Sequence, residues 1–457
     1  MTMVVGLAGA SRNGAVAVCE DGQVVGMCEH ERVTRTRREP LPPGKLPTQT
    51  LAAILRGSCA DVATYAVAEA PITLPPGLPV EYIDHHLAHA ATAFYTSPFS
   101  TATVIVCDRS GDPEVTVWCG DDRGVRRAEF EWHGPGLAAL YSRAAEAIGV
   151  GVDGEAKLEA LARVGGPAAA AQRQIGDALL DVVASIAQQC GGSNLCLAGG
   201  LFYNSSFNTL VARSNVYANT FVPANPGNAG VAIGAALIAS SPAPVRRDTT
   251  CSTSPFLGPG FTPEDIKATL DNCKLSYDYL SNGRLIDQTT AALVKGELVG
   301  WFHGRMEWGV RALGNRSILA SPTAPYVLEN LNRFLKQREP HRTYSVAVCA
   351  EDVAKFFCGP PASPLMEYEY EVLDRVLFRH LLPDSASRLR VQTVDASAGV
   401  FYELLRGFGD LTGVPVLVNT SFNGFNEPIV CHPRDAVRVF YGTGLDMAVL
   451  DGLVIRK

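Results

Sequence analysis

With 457 residues, 47% hydrophobic and 19% charged, the chain carries enough apolar material for more than one core and lacks the polar excess of a disordered protein. A formal charge of −7 and the lack of any long Lys/Arg run argue against nucleic-acid binding, while leaving room for local basic pockets that hold small anions. No stretch of about 18 apolar residues suggests a membrane span, and twelve cysteines without a C-x-x-C pattern read as reduced, mostly buried thiols of a cytoplasmic protein.

The chain opens with "MVVGLAG", read as a strand because no basic segment precedes it as in a signal peptide. After "SRNG", the stretch "AVAVCEDGQVVGMCEHERV" reads as two strands joined at Asp21-Gly22, a hairpin signal. Next, "DHHLAHAATAFYTSPF" (84–99) places three of the nine histidines within five positions. On a helix, His85 and His89 share a face one turn apart, with His86 rotated away. Such a pair more often packs than binds, yet two imidazoles on one face can take two positions on a transition metal that finds further ligands elsewhere. Asp108 is such a ligand candidate: it ends the strand pattern of "TATVIVCDRSGD", and strand ends are where open α/β sheets gather ligands.

Helical composition marks "GLAALYSRAAEAIGV" and "AAAAQRQIGDALLDVVASIAQQC", and "NLCLAGGLFYNSSFN" reads as a strand closed by Gly199-Gly200. That turn and "PANPGNAG" would let a phosphate or sugar approach the main chain, which together suggests a nucleotide crevice. No internal repeat recurs at a fixed period. Around Ser240 the composition shifts to "SSPAPVRRDTTCSTSPFLGPG", so the expected division is a domain over 1–242, a linker over 243–258 and a second α/β domain over 259–457. In the second domain "TPEDIKATL" reads as a capped helix, "GELVGWFHGRMEWGVRALGNRS" as a strand with a basic loop, and "GVPVLVNTSFNG" as another strand. Taken alone, "KQREPHR" would be a solvated helix face.

In order along the chain, "DHHLAHAATAFYTSPF", "GPGLAALYSRAAEAIGV", "GEAKLEALARVG", "LAGGLFYNSSFN", "GRMEWGVRALGNRSILASP" and "VPVLVNTSFNGFNEPIVCHP" resemble the blocks of the O-carbamoyltransferase family, which includes the nodulation-factor, cephamycin and tobramycin carbamoyltransferases. The resemblance implies an N-terminal actin-like, ATPase-type domain, similar to the tRNA threonylcarbamoyl-transfer enzymes, followed by an α/β domain that forms carbamoyl-adenylate. It implies use of ATP, with Mg2+, and of carbamoyl phosphate. A divalent metal, Fe2+ in the family, would assist transfer of the carbamoyl group to a hydroxyl, or an amine, of a small natural-product intermediate such as an antibiotic precursor. By the same resemblance His85, His89 and Asp108 are metal ligands and catalytic residues, with Asn228 as a fourth ligand. Glu155, Lys157, Gly199, Gly200, Asn204 and Asn228 line the nucleotide crevice. Arg311, Lys336, Arg338, Arg342, Arg390, Thr420, Ser421 and Asn423 bind carbamoyl phosphate and ATP, with Arg311, Lys336 and Arg342 counted as catalytic. Guanidinium forks suit phosphate oxygens and an ammonium supplies a point charge. A homodimer is the assembly considered.

Two positions depart from the family pattern. Arg12-Asn13 stands where many members have His-Asp, and arginine stays protonated, so it cannot accept a proton from an acceptor hydroxyl. Asn228 stands where the family usually has Asp, which removes a charge from the metal site. A small-molecule kinase on the same fold and a nucleotide-binding regulatory descendant are the competing readings. A tRNA-modifying role is disfavoured by the acidic charge.

Overall fold

The computed structural model describes residues 2–55, 58–69, 72–240, 252–383 and 385–457. The chain forms two compact units. One comprises Met1–Ala162, Gly166–Pro259 and Trp308–Val310, the other Arg163–Gly165, Gly260–Glu307 and Arg311–Lys457. Part of the segment expected as a linker lies outside the described residues, and its remainder belongs to the first unit.

Two five-stranded sheets build the first unit. In one, Met3–Ala8, Ala15–Glu20 and Gln23–Glu29 form an antiparallel meander, while Val62–Val67 and then Val80–Tyr82 add in parallel on the other side of the first strand. In the other, Ala102–Cys107, Val115–Asp121 and Gly124–Arg127 form the meander, with Asn194–Ala198 and Asn219–Phe221 added in parallel. Both sheets therefore share the strand order 3-2-1-4-5, and the unit has the doubled α/β architecture of the actin-like ATPase type. The repeat is one of topology, which is why no sequence period betrays it.

Helix Val231–Ala239, apolar on every side, packs on the first sheet; helix His85–Thr96 packs on the second; and the two helices pack on each other. Ile233 and Leu237 are buried there, each worth about 1.5–3 kcal/mol. Thr92 Oγ1 bonds to Ala88 O and Gly230 O, both at 2.9 Å, and accepts from Gly234 N at 3.0 Å, which fixes the register of the pair. The Asp21-Gly22 hairpin forms as expected, with φ values of 48° and 79°. Its second strand stops at Glu29, though, and His30–Thr34 is helical, because Glu29 and Arg32 turn inward and pair at 3.3 Å.

The second unit is organised on a ten-stranded sheet. Its centre is Val299–Phe302, Arg316–Ala320, Val416–Ser421 and Ser345–Cys349, covered by helices Asn282–Val294 and Val400–Thr412 through Leu285, Leu293, Leu404, Leu405 and Phe408. Helix Pro263–Asn272 begins in a capping box, Asp265 N donating to Thr262 Oγ1 and Thr262 N to Asp265 Oδ2. "KQREPHR" is not a helix face: it follows the π-helical segment Asn330–Leu335 as a turn, with Gln337 at φ 45°. Among the described residues no helix is long and apolar enough to cross a membrane.

Candidate functional site

Asp84 caps helix His85–Thr96 by accepting from Leu87 N at 2.8 Å, so the helix starts where His85 and His89 project from the same face. Their rings stand perpendicular with centroids 4.7 Å apart. Asp108 follows the end of strand Ala102–Cys107 and is aimed between them, its oxygens 3.7 Å from His85 Nε2 and 3.7 Å from His89 Nε2. The carboxylate is held by Ser110 N on one oxygen and Gly200 N on the other, at 2.9 and 3.0 Å. This explains the glycine pair that closes the neighbouring parallel strand. Gly199 has φ +103° and a Cβ there would lie 2.1 Å from Cys107 O, so only glycine lets the turn bring the next N–H to Asp108.

One nitrogen or carboxylate oxygen from each of His85, His89 and Asp108 lies within 4.8 Å of the other two, the spacing of a set that could share one cation. Both ring nitrogens of His85 and Nε2 of His89 are buried and have no partner at hydrogen-bond distance among the described residues. An unmet buried polar atom costs about 1–3 kcal/mol, and a cation shared with Asp108 would answer one nitrogen of each ring. Burial lowers the pKa of His89 to about 3, which keeps its imidazole neutral, the state a ligand needs. Burial also pushes His85 down, but Asp108 and Glu69 outweigh it and leave its pKa above normal. For Asp108 burial acts to raise the pKa, yet the two histidines and Ser110 N–H prevail and hold the carboxyl well below its usual range.

His86 is turned elsewhere, its Nδ1 2.8 Å from Thr116 Oγ1, which also accepts from Trp118 Nε1. Asn228 lies beside His89. Arg12 is committed to Asp153 at 2.5 Å. Of the expected crevice residues, Glu155 accepts from Ser142 Oγ at 2.6 Å, and Lys157 is exposed. Asn204, also expected to line the crevice, caps the helix that follows it. Its Oδ1 accepts from Ser206 N and Phe207 N, and its Nδ2 donates to Tyr141 Oη and Gln172 Oε1.

In the second unit Lys336, Ser421 and Asn423 come together. The Lys336 ammonium donates to Ser421 O at 2.6 Å, Asn423 O at 3.0 Å and Asn423 Oδ1 at 2.6 Å, and burial depresses its pKa well below the usual lysine value. Thr420 precedes this pair on the strand, opposite Ile318. Arg338 stacks on Tyr344 with its guanidinium carbon 4.1 Å from the ring centroid. Arg342 is half-buried, and its carbonyl accepts from Asn332. Arg311 is half-buried in the loop before Arg316–Ala320, and Arg390 lies on strand Arg388–Val394 opposite Glu369. A cavity of about 770 Å³ opens beside the "KQREPHR" turn, lined by Asn332, Arg333, Gln337, Arg338, Arg379 and His380 among others, a volume in the range of small-molecule sites.

Asn332 escaped the sequence reading. It is buried, takes Arg338 Nε at 2.9 Å and Tyr344 Oη at 2.8 Å on its oxygen, and donates to Pro340 O and Arg342 O. Its one signal in the sequence is an amide among the apolar residues of "NLNRFL". Arg316, which opens the strand after the basic loop, is buried 3.5 Å over the Phe302 ring and donates to the carbonyls of His303, Gly304 and Asn315. Cys349, Glu351 and Asp352 also cluster, but Lys355 and Arg406 already neutralise the two acids.

Residues 62–184 and 168–237 match the family model described as Carbamoyltransferase N-terminus, and residues 290–457 match Carbamoyltransferase C-terminus. An uncharacterised Synechocystis protein is 32% identical over 84% of this chain and 77% of its own length. Nodulation protein NolNO of Sinorhizobium fredii is 28% identical over 97% of this chain and 79% of its own. The 3'-hydroxymethylcephem-O-carbamoyltransferase of Amycolatopsis lactamdurans is 32% identical over 60% of this chain and 51% of its own.

Proposed function

Since the chain belongs to the carbamoyltransferase family, we propose that this enzyme uses carbamoyl phosphate and ATP to carbamoylate a hydroxyl, or an amine, of a small natural-product intermediate. The observation that carries the reading is the buried set of His85, His89 and Asp108, in which Nε2 of both histidines is without a hydrogen-bond partner among the described residues, in a chain of this family. In the first half-reaction carbamoyl phosphate, water and ATP give carbamoyl-adenylate with release of phosphate and pyrophosphate: water cleaves the carbamoyl phosphate, and the resulting carbamate oxygen attacks the α-phosphate of ATP. In the second, the acceptor attacks the carbamoyl carbon and AMP leaves.

Lys336, anchored on Ser421 and Asn423, supplies a fixed cation for phosphate oxygens, and Arg311, Arg338, Arg342 and Arg390 supply planar forks. The basic cavity beside Arg338 suits an anionic ligand such as carbamoyl phosphate or the phosphates of ATP. His85, His89 and Asp108, with Asn228 beside them, would hold a divalent transition metal, Fe2+ by family resemblance. Such an ion would polarise the carbonyl and offset charge on the departing AMP. Arg12 is protonated and paired, so the acceptor's proton goes to another group. The described cysteines are all thiols, in keeping with a reducing, cytoplasmic setting.

The test is pyrophosphate release from ATP by the purified protein, with and without carbamoyl phosphate and with no acceptor. Release that requires carbamoyl phosphate is expected. Its absence from folded protein, or ADP as the product, would overturn the reading, and ADP would favour a kinase.

A further inference from the structure

Asp153 sits among three guanidinium groups. Arg12 Nη1 lies 2.5 Å from its Oδ1, Arg38 Nη1 2.8 Å from its Oδ2, and Arg109 Nη2 3.9 Å from its Oδ1. One carboxylate thus answers three cations. The nearby Glu31 does not redress the balance, since it accepts from the Arg38 main chain and pairs with the buried Arg32. The arginine side chains are 40, 47 and 43% exposed whereas Asp153 is 20% exposed, so the carboxylate forms the floor and the forks stay open to solvent.

The cluster is built on pinned main chain. Arg12 belongs to the turn between strands Met3–Ala8 and Ala15–Glu20, and that turn is bonded to the Arg38 segment through Asn13 N to Arg38 O at 3.1 Å and Gly14 N to Glu39 O at 2.8 Å. Arg109 lies in the same tight turn as Ser110, whose N–H holds Asp108. A closed circuit of contacts then joins the arginines to the histidine site. Ala10 N donates to Glu69 Oε2 at 3.0 Å, and Glu69 Oε1 stands 3.9 Å from His85 Nδ1. His85 faces Asp108, Arg109 follows Asp108 in the chain, and Asp153 links Arg109 back to Arg12. The excess positive charge therefore borders the site of His85 and Asp108.

We propose that Arg12, Arg38 and Arg109 seat an anionic group of the acceptor, a carboxylate or a phosphate, so that the acceptor's nucleophile faces His85 and Asp108. The proposal rests on the carbamoyltransferase reading. Guanidinium forks bind such oxyanions in pairs of parallel hydrogen bonds, and Asp153 orients the forks without cancelling their charge. The arginine in place of the family histidine thereby acquires a binding task, and a polycationic acceptor would be repelled.

Calorimetric titration of the intact chain with sulfate, standing for a phosphate group, and with acetate, standing for a carboxylate, tests the seat. At least one anion should bind wild-type protein. Its affinity should fall at least tenfold in Arg12→Gln/Arg109→Gln and about threefold in Arg38→Gln, and should stay within twofold in Lys267→Gln, an exposed lysine on helix Pro263–Asn272 outside either site. The tighter of the two anions identifies the acceptor group. Binding of neither anion, or equal binding by wild type and the Arg12/Arg109 double variant, would overturn the proposal. These readouts require no turnover: sulfate or acetate binding without carbamoyl-phosphate-dependent pyrophosphate release would defeat the functional reading and leave the seat standing, while the opposite pattern would defeat the seat alone. In a transfer screen with radiolabelled carbamoyl phosphate, labelling of hydroxy-acid methyl esters in preference to the free acids would also overturn it.

Discussion

Replacing His89 with Ala tests the donor set without relying on turnover. An ion at 100 times its Kd stabilises the folded state by about 2.7 kcal/mol. For a unit of this size each kcal/mol moves Tm by roughly 2–4 °C, so saturating metal should raise the wild-type transition by roughly 5–10 °C. Loss of a mere supporting partner of a ligand weakens metal affinity by about 10–100-fold, and loss of one of three donors should reach at least the upper figure. At the same metal concentration the variant would then be about half saturated, stabilised by only about 0.4 kcal/mol, or roughly 1 °C. Without metal the substitution has two opposing effects. His89 is 1% exposed, so Ala leaves a cavity, but it also removes a buried Nε2 that has no hydrogen-bond partner among the described residues. The assay is a thermal melt of EDTA-treated protein with Fe2+ under anaerobic conditions, and with Mn2+ and Zn2+. An equal metal-induced shift in His89→Ala and wild type, or no shift in wild type with any of the ions, would refute the assignment.

Lys336→Met should cut carbamoyl-phosphate-dependent pyrophosphate release at least 100-fold. Unfolding stability should fall by only about 1–3 kcal/mol, because the carbonyls it leaves without a donor are partly offset by no longer burying a charge; release above a tenth of wild type would remove the lysine from the site. Gly309 has φ +100° and a Cβ there would lie 2.3 Å from Ala224 O, so Gly309→Ala should cost at least ~2 kcal/mol in urea unfolding, against ~1 kcal/mol for Gly22→Ala, where no atom stands within 4 Å. Equal costs would count against the steric reasoning. Burial raises the Glu367 pKa from 4.5 to about 7, although Ser363 and Leu365 donate to the carboxyl. Between these values the folded state keeps a proton that the unfolded state has released, so this contribution is intact below pH 4.5 and is lost as pH rises to about 7, by at most ~3 kcal/mol. Glu367→Gln should flatten that slope in urea melts taken across the same pH range, and an unchanged slope would place the titration elsewhere.

What the sequence disclosed was what local chemistry decides. Asp21-Gly22 specified its hairpin, Thr262 and Asp265 their capping box, and the four-residue spacing of His85 and His89 their common face. Asp108 was legible because a strand pattern ends there. The doubled 3-2-1-4-5 order was hidden, since strand pairing depends on contacts far apart in sequence. The same holds for Asp153, whose partner Arg12 lies 141 positions away, and for Asn332, whose importance comes from the carbonyls and side chains it gathers. Spacing alone gave "KQREPHR" no function; family resemblance singled out Lys336, and the structure shows it joined to Ser421 and Asn423.

The first unit takes three of its residues, Trp308–Val310, from late in the chain. Trp308 is buried in its core and donates its main-chain N–H to Pro255 O, while Gly309 donates to Glu29 Oε1 and accepts from Arg32 at 3.0 Å. On the ribosome, where chains emerge N-terminus first, Glu29 and Arg32 therefore wait for these main-chain partners until residue 310 has been made. Folding of this unit cannot finish when residue 259 appears, and its last step waits for some fifty further residues, Gly260–Glu307, that belong to the other unit.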